Sequence, residues 1–257
     1  MARSTSGESV LERAVRILEV FDSDNVAVSV SEIAARARLP LSTTSRLIDE
    51  LVEHRLLRRD EQRRIRVGMR LWELASRASP MRSLRDAAMP FLEDLHAVVG
   101  HHVQVGVLDG DDVLFIERLS APKAVINLTR IAGRQPIHAS SSGLVLLAHA
   151  PAAMQERIAV GPLQRLTDQT IRDGKQLRSV LAEIRRVGYA LCAGHIHADA
   201  TGVAVPIRDP SDKVVGALSA IVPRGERALT HIPALLATAR GIHRALGTPV
   251  IPPVTPP

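Results

Sequence analysis

Apolar residues recur every three or four positions along much of the first 54 residues, which is the period of a helix with one buried face. This spacing predicts helices over residues 9–21, 30–38 and 41–54. Ser29 and Glu32 have the spacing of a capping box at the start of the second helix, and Pro40 suits the first turn of the third. Segments 56–58 and 65–67 are predicted as short strands joined by an exposed turn.

Three helices followed by a hairpin form a winged helix-turn-helix, a fold that places its last helix in the major groove of double-stranded DNA. In the third helix Leu47, Ile48 and Leu51 supply the buried face. Short hydroxyls and one arginine at the helix start suit phosphate oxygens and base edges. The predicted DNA-contacting residues are Ser42, Thr43, Thr44, Ser45 and Arg46. Taken alone, this stretch is also compatible with an ordinary surface helix whose first turns are polar.

Positive charge is concentrated in the segment that would form the wing. Residues 55–70 contain seven arginines against Asp60 and Glu61, a local balance of +5. Arg59, Arg63 and Arg64 are predicted to contact backbone phosphates or to enter the minor groove. A solvated hairpin face is the alternative for a run of charges, but the preceding helix-turn-helix pattern favours DNA.

Composition places limits on the other classes of function. The chain has 257 residues, a formal charge of +6, 46% hydrophobic and 23% charged residues, which indicates a globular protein of about two domains. No apolar run approaches the roughly 20 residues that cross a bilayer. Because the N-terminus lacks the apolar core of a signal peptide, we expect a cytoplasmic protein with no membrane partner. The single cysteine, Cys192, excludes an internal disulfide and a multi-cysteine metal site.

After about residue 80 the pattern changes to alternating strands and helices. Helices are predicted over 68–78, 82–99, 141–149, 152–160, 176–187 and 232–246, and strands over 102–108, 113–119, 124–130, 189–194, 202–208 and 214–222. An antiparallel sheet flanked by helices gives an α+β fold class. Trp72, in the connecting helix, is expected to pack in a core or a dimer contact. Two domains are predicted. Residues 1–78 form the DNA-binding domain with the connecting helix, and residues 79–248 form a sensor-like α+β domain. A flexible proline-rich tail follows at 249–257.

The order of these motifs closely resembles the IclR (isocitrate-lyase-regulator) family of bacterial transcription factors. The resemblance rests on SVLERAVRILEVF and SEIAARARLPLSTTSRLIDELVEHRLL in the first half. In the second half it rests on RQPIHASSSGLVLLAH, GYALCAGHIHADATGVAVPIRD and VVGALSAIVP. It implies a regulator, not an enzyme, with no cofactor. It also implies a GAF-like effector-binding domain for a small organic acid, assembly as a homodimer or dimer of dimers, and control of a catabolic operon through a near-palindromic operator.

A small acid is expected at the helix that begins near Ser141, because free amides at a helix start attract anions. A well-capped helix without a ligand is the alternative. By resemblance, the effector-binding residues are Ser141, Ser142, Cys192, Gly202 and Ser219. A family member that binds a small keto acid carries aspartate at the position of Cys192 and cysteine at that of Gly202. The effector of this chain is therefore expected to differ.

The motif His195-x-His197-x-Asp199 would place three possible zinc ligands on one face of a predicted strand. A metal-dependent hydrolase with an accessory basic N-terminal domain is therefore the alternative function. Such enzymes need further ligands, and the sequence contains no His-Glu-x-x-His helix. We assign no metal ligand, and favour a solvent-exposed position or one at the edge of a pocket for these residues.

Overall fold

The structure, a computed structural model, describes residues 7–22, 24–77, 80–225 and 227–248, with backbone only for residues 80–82. It divides into two compact units, residues 1–79 and residues 80–257. The predicted tail, 249–257, lies outside the described residues. The order of helices and strands is the predicted one, apart from one strand discussed below.

The N-terminal unit packs three helices and a hairpin around one apolar core, as the winged helix-turn-helix prediction requires. Its elements are α1 (Val10–Leu18), α2 (Val30–Ala37), α3 (Leu41–Glu53), β1 (Leu57–Arg59), β2 (Ile65–Val67) and α4 (Met69–Arg77). The core contains Ile17, Ile33, Ile48, Leu57 and Ile65, one or more from each of α1, α2, α3 and the two strands. The hairpin is thus anchored to the helices by its own apolar residues.

Two features set the turn between α2 and α3. Arg16 of α1 donates hydrogen bonds from its guanidinium to the backbone carbonyls of Ala37 and Arg38, at the end of α2. Arg38 itself adopts a left-handed conformation, with φ 52°, which ends the helix and leads the chain into Pro40. The predicted capping box at Ser29 is present at the other end of α2. The angle between α2 and α3 is therefore fixed by a contact from α1 as well as by local sequence.

The C-terminal unit is built on a six-stranded antiparallel sheet with the order β5-β4-β3-β8-β7-β6. Its strands are β3 (His102–Asp109), β4 (Asp112–Ser120), β5 (Arg134–Pro136), β6 (Ala190–Ala193), β7 (Ala200–Arg208) and β8 (Val214–Pro223). Its helices are α5 (Pro80–Val99), α6 (Ser141–Ala148), α7 (Ala152–Val160), α8 (Gly174–Val187) and α9 (Ile232–Gly247). The α+β fold class is confirmed.

Helices cover both faces of this sheet, and the alternation along each strand decides which residues face which layer. Val103 of β3 and Val203 of β7 belong to the core shared with α5 and α9. Ala204 and Cys192 belong to the core shared with α6 and α8. The second face is therefore the one that carries the residues next to the start of α6.

The strand predicted over 124–130 is wrong. This segment has no regular secondary structure, and β5 forms instead at Arg134–Pro136, paired with β4. The alternating apolar residues that suggested a strand, Ile126 and Leu128, are 56% and 60% exposed. Alternating apolar residues predict an extended backbone, but they do not predict which strand it pairs with. Here the free edge of β4 pairs with Arg134–Pro136, which come later in the chain.

The side chain of Trp72 on α4 is 62% exposed, so it does not pack in a core among the described residues, and the dimer contact stays a prediction. A single apolar side chain on a helix surface is not evidence of a core contact, and amphipathic spacing cannot tell a core face from an unpartnered one.

Candidate DNA-binding surface and ligand cavity

Helix α3 presents a polar face over its first two turns. Ser42 and Arg46 are exposed, and Thr43 and Ser45 are half-buried. The N-cap residue, Pro40, contributes no side-chain hydrogen bond, so the first-turn amides keep their donors for an incoming phosphate. Arg46 forms an exposed pair with Glu50 at 2.6 Å, and such a pair is weak enough to be exchanged for a phosphate.

Thr44 does not belong to this face. Its side chain is fully buried, and its hydroxyl donates to the backbone carbonyl of Pro40 at 3.0 Å. The helical period turns this position inward with Leu47 and Ile48, which lie three and four residues further along. The prediction that Thr44 contacts DNA is therefore wrong, and the residue belongs to the structural base of α3.

The wing tip is organised by Asp60. Its carboxylate accepts hydrogen bonds from the backbone amides of Gln62 (3.1 Å) and Arg64 (2.9 Å) and from the side chain of Arg66 (3.0 Å). Burial opposes ionisation of Asp60, but these bonds and the nearby guanidinium groups hold its pKa below the ordinary value. The charged carboxylate therefore fixes the loop that carries the arginines.

The three predicted wing arginines differ in how they are held. Arg59 pairs with Asp49 of α3 at 2.7 Å, which ties the wing to the helix. Arg64 lies 3.3 Å from Asp60. Arg63 sits at the tip in a left-handed conformation, with φ 61°, and in the described part of the chain no ion pair involves it. Arg63 is thus the most available of the three cations.

The C-terminal unit contains a small cavity between the start of α6, the sheet and segment 126–129. Its volume is about 30 Å³, enough for about one or two water molecules. Polar residues in its wall include Gln104, Asn127, Ser141, His195 and His197. None of the described lining residues is Asp, Glu, Lys or Arg, so a ligand here meets no charged side chain in the wall.

Three of the five residues predicted to bind an effector line this cavity, and two do not. Ser141, Cys192 and Gly202 lie in its wall. Cys192 and Gly202 are cross-strand partners in β6 and β7, which explains their proximity. The hydroxyl of Ser142 instead donates to that of Ser219 at 2.9 Å, and both residues are buried behind the wall.

Helix α6 begins at the cavity. Its N-cap, Ser140, accepts a hydrogen bond from the amide of Gly143 at 3.1 Å. Among the described residues, the amides of Ser141 and Ser142 have no protein acceptor. Gly143 is required, because a Cβ there would lie 2.1 Å from the carbonyl oxygen of Ile137. The close approach of that backbone buries the helix start against the sheet.

Gly202 keeps the cavity open. A Cβ at this position would lie 2.7 Å from the Ser141 hydroxyl and 3.3 Å from Cδ1 of Ile221. Complete burial raises the pKa of the neighbouring Cys192 thiol to about 12. Cys192 is therefore a neutral wall residue, and not a thiolate nucleophile.

The segment that carries the histidine motif is a loop, Gly194 to Asp199, between β6 and β7. The prediction that the three side chains share one strand face is therefore wrong. His195 and His197 both line the cavity, whereas the Asp199 carboxylate, 4.0 Å from the His197 ring, points into solvent. Within the described ranges, no three His, Cys, Asp or Glu side chains are grouped closely enough to hold a metal ion.

Several cavity residues were missed by the sequence prediction. Gln104 is a buried polar residue in the middle of β3, and its position within an apolar strand is a signal that could have been used. Asn127 donates to Gln104 at 3.1 Å, and Gln135 donates to Thr129 at 3.3 Å. Those contacts depend on the path of segment 124–130, which was wrongly predicted to be a strand.

Two family models match this chain. The IclR helix-turn-helix domain matches residues 10–61, and the bacterial transcriptional regulator IclR C-terminal domain matches residues 78–245. The chain belongs to the IclR family. It is therefore a transcriptional regulator with a DNA-binding helix-turn-helix domain, and not an enzyme. The hydrolase alternative is set aside.

Known relatives extend the likeness over nearly the whole IclR-family chain. This chain is 30% identical over 211 residues to the HTH-type transcriptional regulator XynR of Escherichia coli (strain K12). The match covers 81% of this chain and 84% of XynR. The chain is 29% identical to the HTH-type transcriptional repressor AllR of Klebsiella pneumoniae, covering 94% and 91% of the two chains. An IclR homolog from Microbacterium hydrocarbonoxydans, solved in complex with 4-hydroxybenzoate, superposes with a TM-score of 0.88 at 45% identity, covering 93% and 99%.

No helix in the described part of this IclR-family chain is long and apolar enough to cross a bilayer.

Proposed function

We propose that the cavity of the C-terminal unit binds a small carboxylic acid, and that its occupancy controls DNA binding by the N-terminal unit. The observation that carries this proposal is the start of α6. The amides of Ser141 and Ser142 are unpartnered among the described residues, and one of the two residues lines the cavity. Unpaired amides at a helix start favour an anion.

The neutral wall supports the same ligand class. Cys192 stays a thiol, and no acidic side chain among the described lining residues would repel a carboxylate. Apolar wall residues, including Ile126, Ile196 and Ile221, suit a hydrocarbon body. The Microbacterium homolog, at 45% identity, is described as a complex with 4-hydroxybenzoate, which makes aromatic acids the first compounds to test.

A ligand of that size requires the cavity to widen, since its present volume is about 30 Å³. The wall most able to move is segment 126–129, which has no regular secondary structure. It is held by polar contacts, such as Arg118 to the Thr129 carbonyl and Asn127 to Gln104. Because Ile126 and Leu128 are already exposed, moving the segment uncovers little core.

On the DNA side, the proposed contacts are Ser42, Thr43, Ser45 and Arg46 on α3 and Arg59, Arg63 and Arg64 on the wing. Two such units in a dimer, or four in a dimer of dimers, would bind a near-palindromic operator. The controlled genes would serve the catabolism of the acid that binds. To act as a signal, the acid must bind one state of the regulator more tightly than the other.

The test combines ligand binding and DNA binding on the full chain. We expect 4-hydroxybenzoate to raise the melting temperature and to shift the affinity for duplex from the upstream region of the protein's own gene. Methyl 4-hydroxybenzoate is the matched control, because it keeps the ring and hydroxyl but lacks the carboxylate. Equal responses to acid and ester would contradict the role of the α6 amides. No preference for the upstream duplex over random DNA, measured at several salt concentrations, would contradict specific operator binding.

A further inference from the structure

The six-stranded sheet splits between its two central strands. Pairing of β3 with β8 ends at Gly106 and Ala217. Beyond that point β3 continues beside β4 as far as Asp109, and β8 starts at Val214 beside β7. The β3–β4 and β7–β8 hairpins therefore separate, and a groove lined by residues of both hairpins opens at this end of the sheet.

The groove is much larger than the cavity at the start of α6. Its volume is about 730 Å³, against about 30 Å³ for the cavity. Among the described residues, none lines both. Sites for small molecules commonly measure about 300–1,000 Å³. The groove is therefore a separate space, and it already has the volume of a small-molecule site.

The inner wall of the groove is apolar. Its aliphatic lining residues come from α5, α6, α9 and three strands, and include Leu84, Leu146, Leu246, Val107, Leu114 and Val215. Leu114, Val215 and Leu246 are only half-buried. A hydrocarbon placed in the groove would remove this remaining apolar surface from water, which is favourable.

The charged groups at the rim differ in how far they are already bonded. Asp109 pairs with Arg134. Asp209 accepts hydrogen bonds from the backbone amides of Ser211 at 2.9 Å and Lys213 at 3.0 Å. By contrast, the ammonium group of Lys213 forms no ion pair within the described ranges. Both carboxylates of the described rim are therefore engaged, while one cation is available to a ligand.

The electrostatic field at the α6 end of the groove has the same sign. His149 lines the groove there. Burial is the main cause of its lowered pKa, and Arg208 and Arg185 lower it further, against a smaller opposing effect of Asp212. The two guanidinium groups thus outweigh the carboxylate at this wall. A positive field disfavours a cationic ligand and favours an anionic one.

We propose that this groove is a second ligand site, and that it binds an amphipathic anion with an aliphatic body, such as a medium-chain carboxylate. The hydrocarbon lies between the two hairpins, against the leucines of α5, α6 and α9, and the carboxylate lies at the rim beside Lys213. An elongated chain suits a groove between separated strands, whereas the cavity at the start of α6 is too small for one. The second site does not depend on the function proposed for that cavity.

The experiment is calorimetric titration of the full-length protein with butyrate, hexanoate, octanoate and octylammonium. We expect one octanoate to bind per chain, about tenfold or more tightly than butyrate, because the added methylenes are buried. Octylammonium has the same chain with the opposite charge and should bind more weakly than octanoate. No saturable binding of octanoate, or an affinity that falls with chain length, would overturn the proposal and leave the function of the other cavity standing.

Two further outcomes would also count against the proposal. Octylammonium that binds as tightly as octanoate would overturn the assignment of an anion. An octanoate affinity that rises as the protein is diluted would show that a second copy of the chain occupies the groove instead.

A pair of lysine variants then locates the carboxylate. Lys213→Met keeps the length of the side chain and the backbone amide that bonds to Asp209, but removes the charge. We expect it to weaken octanoate binding about three- to fivefold, the range of an exposed ion pair, without weakening octylammonium binding. The matched control is Lys175→Met, which removes the same charge from an exposed position on α8 outside the groove. Equal weakening in both variants, or none in Lys213→Met, would contradict this placement.

Discussion

The hydroxyl of Ser142 on α6 donates to the hydroxyl of Ser219 on β8 at 2.9 Å, and neither residue is more than 1% exposed. This bond fastens the start of α6 to a central strand of the sheet. Both serines were predicted to bind an effector, yet their hydroxyls bond to each other. In this chain their side chains position the cavity wall, and only the amide of Ser142 remains for a ligand.

Removing one of these hydroxyls should cost stability. Ser219→Ala leaves the Ser142 hydroxyl buried without its partner, and we expect the free energy of unfolding to fall by about 1–3 kcal/mol. The double variant with Ser142→Ala should lose less than the sum of the two single variants, because neither hydroxyl is then orphaned. Urea unfolding of the four proteins measures the coupling. Strictly additive losses would show that the bond does not join α6 to β8.

The wing arginines should contribute to DNA affinity without contributing to sequence preference. Arg63→Ala with Arg64→Ala is expected to weaken binding to every duplex and to lower the salt slope by up to about 2. Fluorescence anisotropy at several salt concentrations measures both effects. The matched control is Arg178→Ala with Arg186→Ala, which removes the same charge from exposed ion pairs in the C-terminal unit. An unchanged slope in the wing variant would exclude these residues from the phosphate contacts.

Replacing Arg63 by glycine should raise stability and weaken DNA binding. A left-handed conformation strains any residue with a Cβ, so Arg63→Gly is expected to raise the free energy of unfolding by up to about 1 kcal/mol. The same change removes the cation at the wing tip and should weaken DNA binding. Denaturant unfolding and anisotropy on one preparation test both. A glycine variant that binds DNA as tightly as the wild type would mean that the tip does not reach the duplex.

Gly202→Val should close the cavity. The added carbons would occupy the space beside the Ser141 hydroxyl and Ile221, and we expect acid binding to fall at least tenfold while DNA binding persists. The melting temperature in the presence and absence of acid gives the measurement. Gly247→Ala, at the end of α9 where the added Cβ would lie in ordinary contact 3.4 Å from Cγ of Pro210, controls for loss of glycine. A full ligand-induced shift in Gly202→Val would place the acid elsewhere.

Stability should fall as the solution becomes mildly acidic. Burial lowers the pKa of His102, His149 and His195, so below the ordinary imidazole value of about 6.5 the unfolded chain binds protons that the folded chain does not. The part of the free energy of unfolding that comes from keeping these three histidines neutral is therefore fully present above about pH 6.5. It is lost as the pH falls through the lowered pKa values of the folded state. Carboxylates of an unfolded chain have ordinary pKa values of about 4, below this window.

His149→Phe tests the pH effect at one site. Burial is the main cause of its lowered pKa, and Arg208 and Arg185 add to it against Asp212. We expect a shallower dependence of the free energy of unfolding between pH 7.5 and about 5.5, measured by urea denaturation. A slope identical to that of the wild type would show that His149 does not stay neutral in the folded state.

The sequence by itself determined the order of elements and most of their bounds. Helical and alternating apolar periods are local, and burial of one face follows directly from them. The capping box at Ser29 and the charged wing were visible for the same reason. Ser141, Cys192 and Gly202 were also predicted as binding residues from the sequence. They could be identified because a resemblance in the order of motifs aligns individual positions along the chain.

The tertiary structure decided which strands pair and which way individual side chains point. Segment 124–130 alternates like a strand, but the edge of β4 pairs with Arg134–Pro136, so the segment covers the cavity instead. Thr44 looks like its polar neighbours in sequence, yet the helix turns it into the core. Spacing predicted His195, His197 and Asp199 on one strand face, but they lie in a loop, where both histidines line the cavity and Asp199 is exposed to solvent. Pairing partners and the direction of a side chain depend on residues distant in sequence, which no local pattern contains.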